Sequence, residues 1–170
     1  MVQTERAAYD VIVVGAGSAA LCAALAARER GALVLALEKA SPQEQGGNCP
    51  FTGGGFRFVH EGVEDLRRLE PDLPPGLEVP PYPAEAYRRD LLRVSQGMAD
   101  PALLELVVTG SRRAVAWLTA LGVRWEAPGR GEGGRATPGV GLRAWGGGPG
   151  LLRMLTGAAR ARGVTLLYEA

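Results

Sequence analysis

Two clusters of glycine carry most of the chemistry this chain can offer. The first, Gly15-Ala16-Gly17-Ser18-Ala19-Ala20, fits the spacing G-x-G-x-x-G/A with alanine in the last place. In that pattern the first glycine permits a sharp turn, and the second lets backbone approach a pyrophosphate with no Cβ in the way. The small third residue, here Ala20, lets a helix pack closely on a strand. Glu38 stands about 20 positions beyond Gly17, the distance at which an acid takes a ribose hydroxyl. A glutamate there disfavours a 2′-phosphate. The second cluster, Gly46-Gly47-Asn48-Cys49-Pro50-Phe51-Thr52-Gly53-Gly54-Gly55, follows soon after Glu38 and Lys39. An NAD domain ordinarily resumes there with a helix and a third strand. A glycine-rich loop instead lays further backbone N–H groups beside an extended coenzyme.

The surrounding elements must hold these loops in place. Residues 9–14 (YDVIVV) form a short apolar run ending at Gly15, as in a strand covered on both faces. Residues 17–30 are rich in alanine and leucine and read as a buried helix closed by Gly31. Residues 33–37 (LVLAL) predict a second buried strand with Glu38 at its carboxyl end. The three make a βαβ unit.

The rest has a different texture. Residues 63–69 predict a short helix, 71–83 are proline-rich, and 84–94 and 101–121 read as amphipathic helices. Asp100 is placed as the N-cap of the latter, with Pro101 at its first position and Gly122 as its stop. Residues 123–126 read as extended. Residues 127–150 hold a second glycine-rich stretch too poor in core residues to be a regular element. Residues 151–162 predict a helix stopped by Gly163, and 164–168 (VTLLY) a buried-type strand. A central-looking strand at the very end of the chain leads us to expect the N-terminal portion of a longer fold.

Composition narrows the function classes. The 170 residues hold 19 basic and 18 acidic side chains, a balance with no electrostatic footprint for nucleic acid or an anionic membrane. Cys22 and Cys49 are the only cysteines, too few for a disulfide scaffold, and with one histidine they give no metal-ligand spacing. No apolar run reaches the roughly 20 residues of a membrane span, and the N-terminus lacks a signal-like apolar block, so a cytoplasmic location is expected.

The segments YDVIVVGAGSAALCAALAARERG, LALEKA, GGNCPFTGGGFRF and GGGPGLLRMLTGAARARGVTLLYE together resemble the FAD-dependent flavoproteins of the fumarate reductase and succinate dehydrogenase group, and within it the tricarballylate dehydrogenase branch. The resemblance implies an α/β fold: a Rossmann-like FAD-binding βαβ core over 1–60, a mostly helical insertion with loops over 61–145, and a returning helix and strand over 146–170. It further implies that Gly15, Ala16, Gly17, Ser18, Ala19 and Ala20 meet the FAD pyrophosphate, and that Glu38 and Lys39 flank the ribose. Gly46, Gly47, Asn48, Cys49, Thr52, Gly53 and Gly54 would line the run toward the isoalloxazine. Some relatives tether the flavin through a histidine in this loop. Here the loop has none, so FAD is expected to be held non-covalently, with Cys49 as the alternative tether. The implied activity is flavin-dependent oxidoreduction of a carboxylic acid. A catalytically silent flavin- or nucleotide-binding fragment is the first alternative, and an NAD-dependent dehydrogenase the second. A separate remainder of the fold or an electron-transfer protein is the expected kind of partner.

No catalytic residue is assigned, because the resembling family draws its proton donor and substrate cations mostly from a capping domain and later segments. His60, the only histidine, reads as an exposed or capping residue. Arg57 reads as a surface or ion-pair group. Arg130, Arg135 and Arg143 could form an anion clamp. Trp117, Trp125 and Trp145 read as core or interface anchors, Cys22 as buried packing, and the pairs Arg67-Arg68 and Arg112-Arg113 as solvated helix faces.

Overall fold

The computed structural model describes residues 8–128 and 139–170. In chain order its elements are β1 (Val11–Val14), α1 (Ser18–Arg28), β2 (Val34–Glu38), a 3-10 turn (Cys49–Phe51), β3 (Gly55–Arg57), α2 (Val63–Arg67), α3 (Ala84–Val94), α4 (Pro101–Ala120), β4 (Trp125–Glu126), β5 (Val140–Ala144), α5 (Gly147–Ala161) and β6 (Thr165–Tyr168). They gather into two compact units, one of Met1–Thr52 with Gly148–Ala170, the other of Gly53–Gly147.

The first unit is the Rossmann-like α/β core that the spacing predicts. Its sheet is parallel with strand order β1-β2-β6. Val11 pairs with Val34 and Val14 with Leu37, while Leu35 pairs with Thr165 and Glu38 with Tyr168. Leu21, Ala24 and Leu25 of α1 are buried with Val34 and Ala36 of β2, as are Leu152, Leu155 and Ala159 of α5. Burying each leucine contributes about 2 kcal/mol. Gly31 and Gly163 take φ of +84° and +76°, the left-handed geometry that ends a helix, so both predicted stops are where the chain turns. Arg28 joins the two helix ends: its Nε donates to the Arg162 carbonyl at 2.8 Å, and its Nη1 to the Ala32 carbonyl at 2.5 Å.

The second unit combines helices with an antiparallel sheet of order β3-β5-β4. That sheet corrects the expectation that residues 127–150 hold no element, since β5 lies inside the stretch with Leu142 and Ala144 fully buried. Tyr82, Tyr87, Leu104 and Val108 form a buried cluster. Asp100 caps α4 as predicted, accepting from the N–H groups of Ala102 and Leu103 at 2.9 Å each. Arg88 on α3 forks onto Glu105 of α4 at 2.7–3.0 Å. Arg112 is half-buried rather than fully solvated. It donates to buried Asp65 of α2 at 2.8 Å. Trp125 is a core anchor, edge-on to Phe56 at 5.0 Å, whereas Trp145 is 53% exposed beside Arg124.

Candidate cofactor site

The first glycine loop begins where β1 ends. Gly15 donates its N–H to the Leu37 carbonyl at 2.6 Å and takes φ of +105°, a turn that an L side chain strains to make. Gly17 is the N-cap of α1 with extended backbone (φ −76°, ψ 175°). No side chain caps the helix, and its first turn holds no acidic residue. The first-turn N–H groups of an α-helix have no partner within the helix. With the dipole behind them, they form a seat for an anion.

The structure brings the second loop onto the first. A Cβ built on Gly17 would lie 3.4 Å from the Gly46 carbonyl oxygen, so the two backbones pass at contact distance. Gly46 itself has φ of +108° and sits against Leu152 of α5. From there the chain opens outward. Gly47, Asn48 and Thr52 are exposed, and a Cβ on Gly47 would meet nothing within 4 Å. The Cys49–Phe51 turn is pinned by α5: the Gly148 N–H donates to the Thr52 carbonyl at 3.0 Å, and the Cys49 Sγ–H to the Gly148 carbonyl at 3.5 Å. Gly148 has no room for a side chain, since its Cβ would strike the Cys49 carbonyl and the Thr52 hydroxyl. The sequence reading missed this position. Contacts between residues 99 apart leave no local pattern, and the run 146–150 looks like any glycine-rich loop.

Glu38 is 7% exposed at the end of β2. Its Oε2 accepts the Ala16 N–H at 2.6 Å and its Oε1 the Ala40 N–H at 2.9 Å. The acid therefore clips the glycine turn to the second strand. Each carboxylate oxygen keeps a second acceptor site that a hydroxyl can use. Lys39 is exposed beside it, as is Ala19 on α1, and Ser18 and Ala20 are half-buried. Gly53 and Gly54 belong to the second unit. There Gly54 must be glycine because the Gly147 backbone would lie 2.7 Å from its Cβ. Its carbonyl accepts the Ala144 N–H at 2.8 Å.

Burial pushes the Cys22 thiol up to about 11, with Cys49 adding to it. Burial also raises Cys49, against an opposing hydrogen bond with Ser18. His60 is not exposed: it is 2% accessible and lies in the second unit. Arg57 pairs with Asp90 at 3.4 Å, and Arg143 with Glu126 at 2.9 Å. The other two arginines of the suggested clamp, Arg130 and Arg135, lie outside the described residues. Among the described residues no cluster of His, Cys, Asp and Glu could hold a metal ion, and no helix is long and apolar enough to cross a membrane.

The loop geometry fits a dinucleotide: an uncapped helix start, backbone without Cβ at Gly17 and Gly47, and an acid fixed at the second strand's end. Known proteins agree. The FAD binding domain family matches residues 10–170. Fumarate reductase (cytochrome) of Shewanella frigidimarina is 31% identical over 113 residues, covering 66% of this chain and 18% of that protein. Digoxin reductase of Eggerthella lenta is 30% identical over 120 residues, covering 69% and 19% respectively. The open conformation of a flavocytochrome c3 fumarate reductase superposes with a TM-score of 0.73 at 28% identity, over 95% of this chain and 26% of that one. The chain thus spans under a fifth of the length of these two relatives. The chain belongs to the FAD binding domain family of flavoproteins, and FAD is its cofactor.

Proposed function

We propose that this chain holds FAD non-covalently across its two glycine loops, as part of an FAD-dependent oxidoreductase of the fumarate reductase kind acting on a carboxylic acid, with tricarballylate-like acids as the favoured class. One observation carries the reading: the backbone of Gly46 lies against Gly17 at the uncapped start of α1. That arrangement supports a single long ligand running from one loop to the other. In this reading the N–H groups of Ser18, Ala19 and Ala20 face the pyrophosphate. Glu38 keeps the glycine turn closed through Ala16 and offers its remaining lone pairs to the ribose. Lys39 flanks the ribose, while Gly46, Gly47, Asn48, Cys49 and Thr52 line the path toward the ring system. Bound FAD supplies a hydride-exchanging centre at flavin N5. The raised Cys49 thiol stays protonated at neutral pH and is a poor nucleophile, which favours a non-covalent link.

The test is direct. The purified protein should be yellow, and acid precipitation should leave the colour in the supernatant. Fumarate should reoxidise the reduced flavin, or a saturated polycarboxylate such as tricarballylate should bleach the oxidised one. Colour retained in the pellet would point to a covalent tether. A colourless protein that binds NADH would overturn the reading.

A further inference from the structure

The segment 39–45 carries the chain from Glu38 to Gly46, the first residue of the second glycine loop. Both its ends are tied to β6. At its start the Ala170 N–H donates to the Glu38 carbonyl at 3.2 Å, and the Glu169 N–H to the Ala40 carbonyl at 3.3 Å. At its end the Tyr168 hydroxyl donates to Gln45 Oε1 at 2.9 Å, a bond between residues 123 apart in the chain. Between these ties residues 42–44 are exposed and held by a local turn, with the Glu44 N–H on the Ser41 carbonyl at 3.1 Å. Arg160 of α5 sets the direction of the Tyr168 bond. Its Nη2 donates to the same hydroxyl oxygen at 3.2 Å, which leaves the hydroxyl proton for Gln45.

The neighbour of Gln45 gives this tether its consequence. Gly46 is buried, takes φ of +108° and sits against Leu152, with its carbonyl oxygen 3.4 Å from where a Gly17 Cβ would stand. One peptide bond joins it to Gln45, so a displaced Gln45 moves the Gly46 carbonyl across the start of α1. In the proposed function the first loop and Glu38 meet diphosphate and ribose, groups that adenosine diphosphate also carries, whereas the second loop meets what lies beyond them. We infer that Tyr168 is a positioning residue: through Gln45 it holds the second glycine loop in register with the first, and that register gives the chain its preference for the whole flavin dinucleotide over adenosine diphosphate. The inference rests on the flavin reading and adds the side chain that sets this preference.

The experiment compares FAD and adenosine diphosphate, each titrated into the purified chain by calorimetry, with thermal unfolding of the FAD-free chain alongside. Wild type should bind FAD the more tightly. Y168F keeps the ring and removes the hydroxyl, which should weaken FAD about fivefold, the worth of one such bond, and leave adenosine diphosphate within about twofold. The Tm of the FAD-free chain should stay within a degree or two. Q45M removes the acceptor from a side chain of similar length and should match Y168F. The double variant should lose no more than either single one, because both break the same bond. At saturating FAD the visible circular dichroism of the flavin should depart from wild type alike in Y168F and Q45M, a change that lost stability alone would not produce. Unchanged FAD affinity in Y168F would overturn the inference, and so would equal weakening of FAD and adenosine diphosphate, which assigns the bond to stability. Additive losses in the double variant would overturn it too, since Tyr168 would then act by a route other than Gln45. Should Y168F not fold, Q45M decides by the same ratio of affinities. Each of these failures leaves the flavin reading standing, whereas a wild-type chain that binds neither ligand would overturn that reading and this inference together.

Discussion

Gly15 and Gly17 are both glycine for different reasons, and substitution separates them. Gly15 has φ of +105°, while a Cβ there would lie 3.7 Å from the Ala20 Cβ, ordinary contact. The demand at Gly15 is therefore conformational, and Gly15→Ala should cost about 1–2 kcal/mol of stability with or without FAD. Gly17 has φ of −76°, which alanine adopts freely, and its Cβ would stand 3.4 Å from the Gly46 oxygen. In the proposed function the demand there comes from the ligand. Gly17→Ala should leave the Tm of the FAD-free chain unchanged or slightly higher, yet weaken FAD by about tenfold or more, as read by flavin fluorescence titration. Equal FAD affinity in wild type and Gly17→Ala would remove the phosphate from this loop. Glu38→Gln tests the acid: the amide retains one acceptor oxygen, so either the Ala16 or the Ala40 N–H loses its partner. Charge-assisted bonds of this kind contribute about 1.5–3 kcal/mol, and both Tm and FAD affinity should fall.

At the level of elements, charge and hydrogen bonding decide how the helices of the second unit are held. Asp100→Ala removes the side chain that accepts two N–H groups of α4 and should cost about 1 kcal/mol. Two buried groups there contribute to the response to acid. The Arg112 hydrogen bond holds Asp65 below its ordinary 3.8, so the folded state takes up that proton at lower pH than the unfolded chain does. Its contribution is whole above 3.8 and is lost as pH falls through the folded value. Burial holds His60 below its ordinary 6.5, so the unfolded chain accepts a proton that the folded chain refuses. Stability should therefore decline already as pH drops below 6.5, and again below 3.8. Urea midpoints measured across that range should lose the upper step in H60F and the lower step in D65N. The βαβ core was legible because its signals are local: apolar runs of strand length, an alanine-rich helix, and glycines at its ends. The first loop was legible for the same reason. The antiparallel sheet was not, since β3 and β4 have only three and two residues and β3 pairs Gly55 with Arg143 far along the chain. His60 was misread on similar grounds, because its bridge partner Tyr82 lies within the proline-rich stretch 71–83, where no strand pattern marks it.

On the scale of the whole molecule, the parallel sheet explains more apolar sequence than the described chain covers. The pairing of Ile12 with Leu35, Val14 with Leu37 and Leu37 with Leu167 puts these side chains on one face. Ile12, Val14 and Leu167 are 60%, 84% and 51% exposed. The intervening positions Val34, Ala36 and Glu38 of β2 are buried. A parallel strand reads as continuously apolar because both its faces are normally covered, and here the sequence of β1 keeps that character while one face is open. An apolar face of this kind binds apolar dyes and favours self-association, whereas side chains already in water contribute little to folding stability. Paired substitution Ile12→Thr with Val14→Thr keeps β-branched residues in the strand, so its backbone preference is retained. The variant should hold the wild-type Tm to within a degree or two, bind markedly less of an environment-sensitive dye, and remain monomeric to higher concentration by light scattering. A fall in Tm by several degrees would mean instead that these residues are covered in solution by the chain itself.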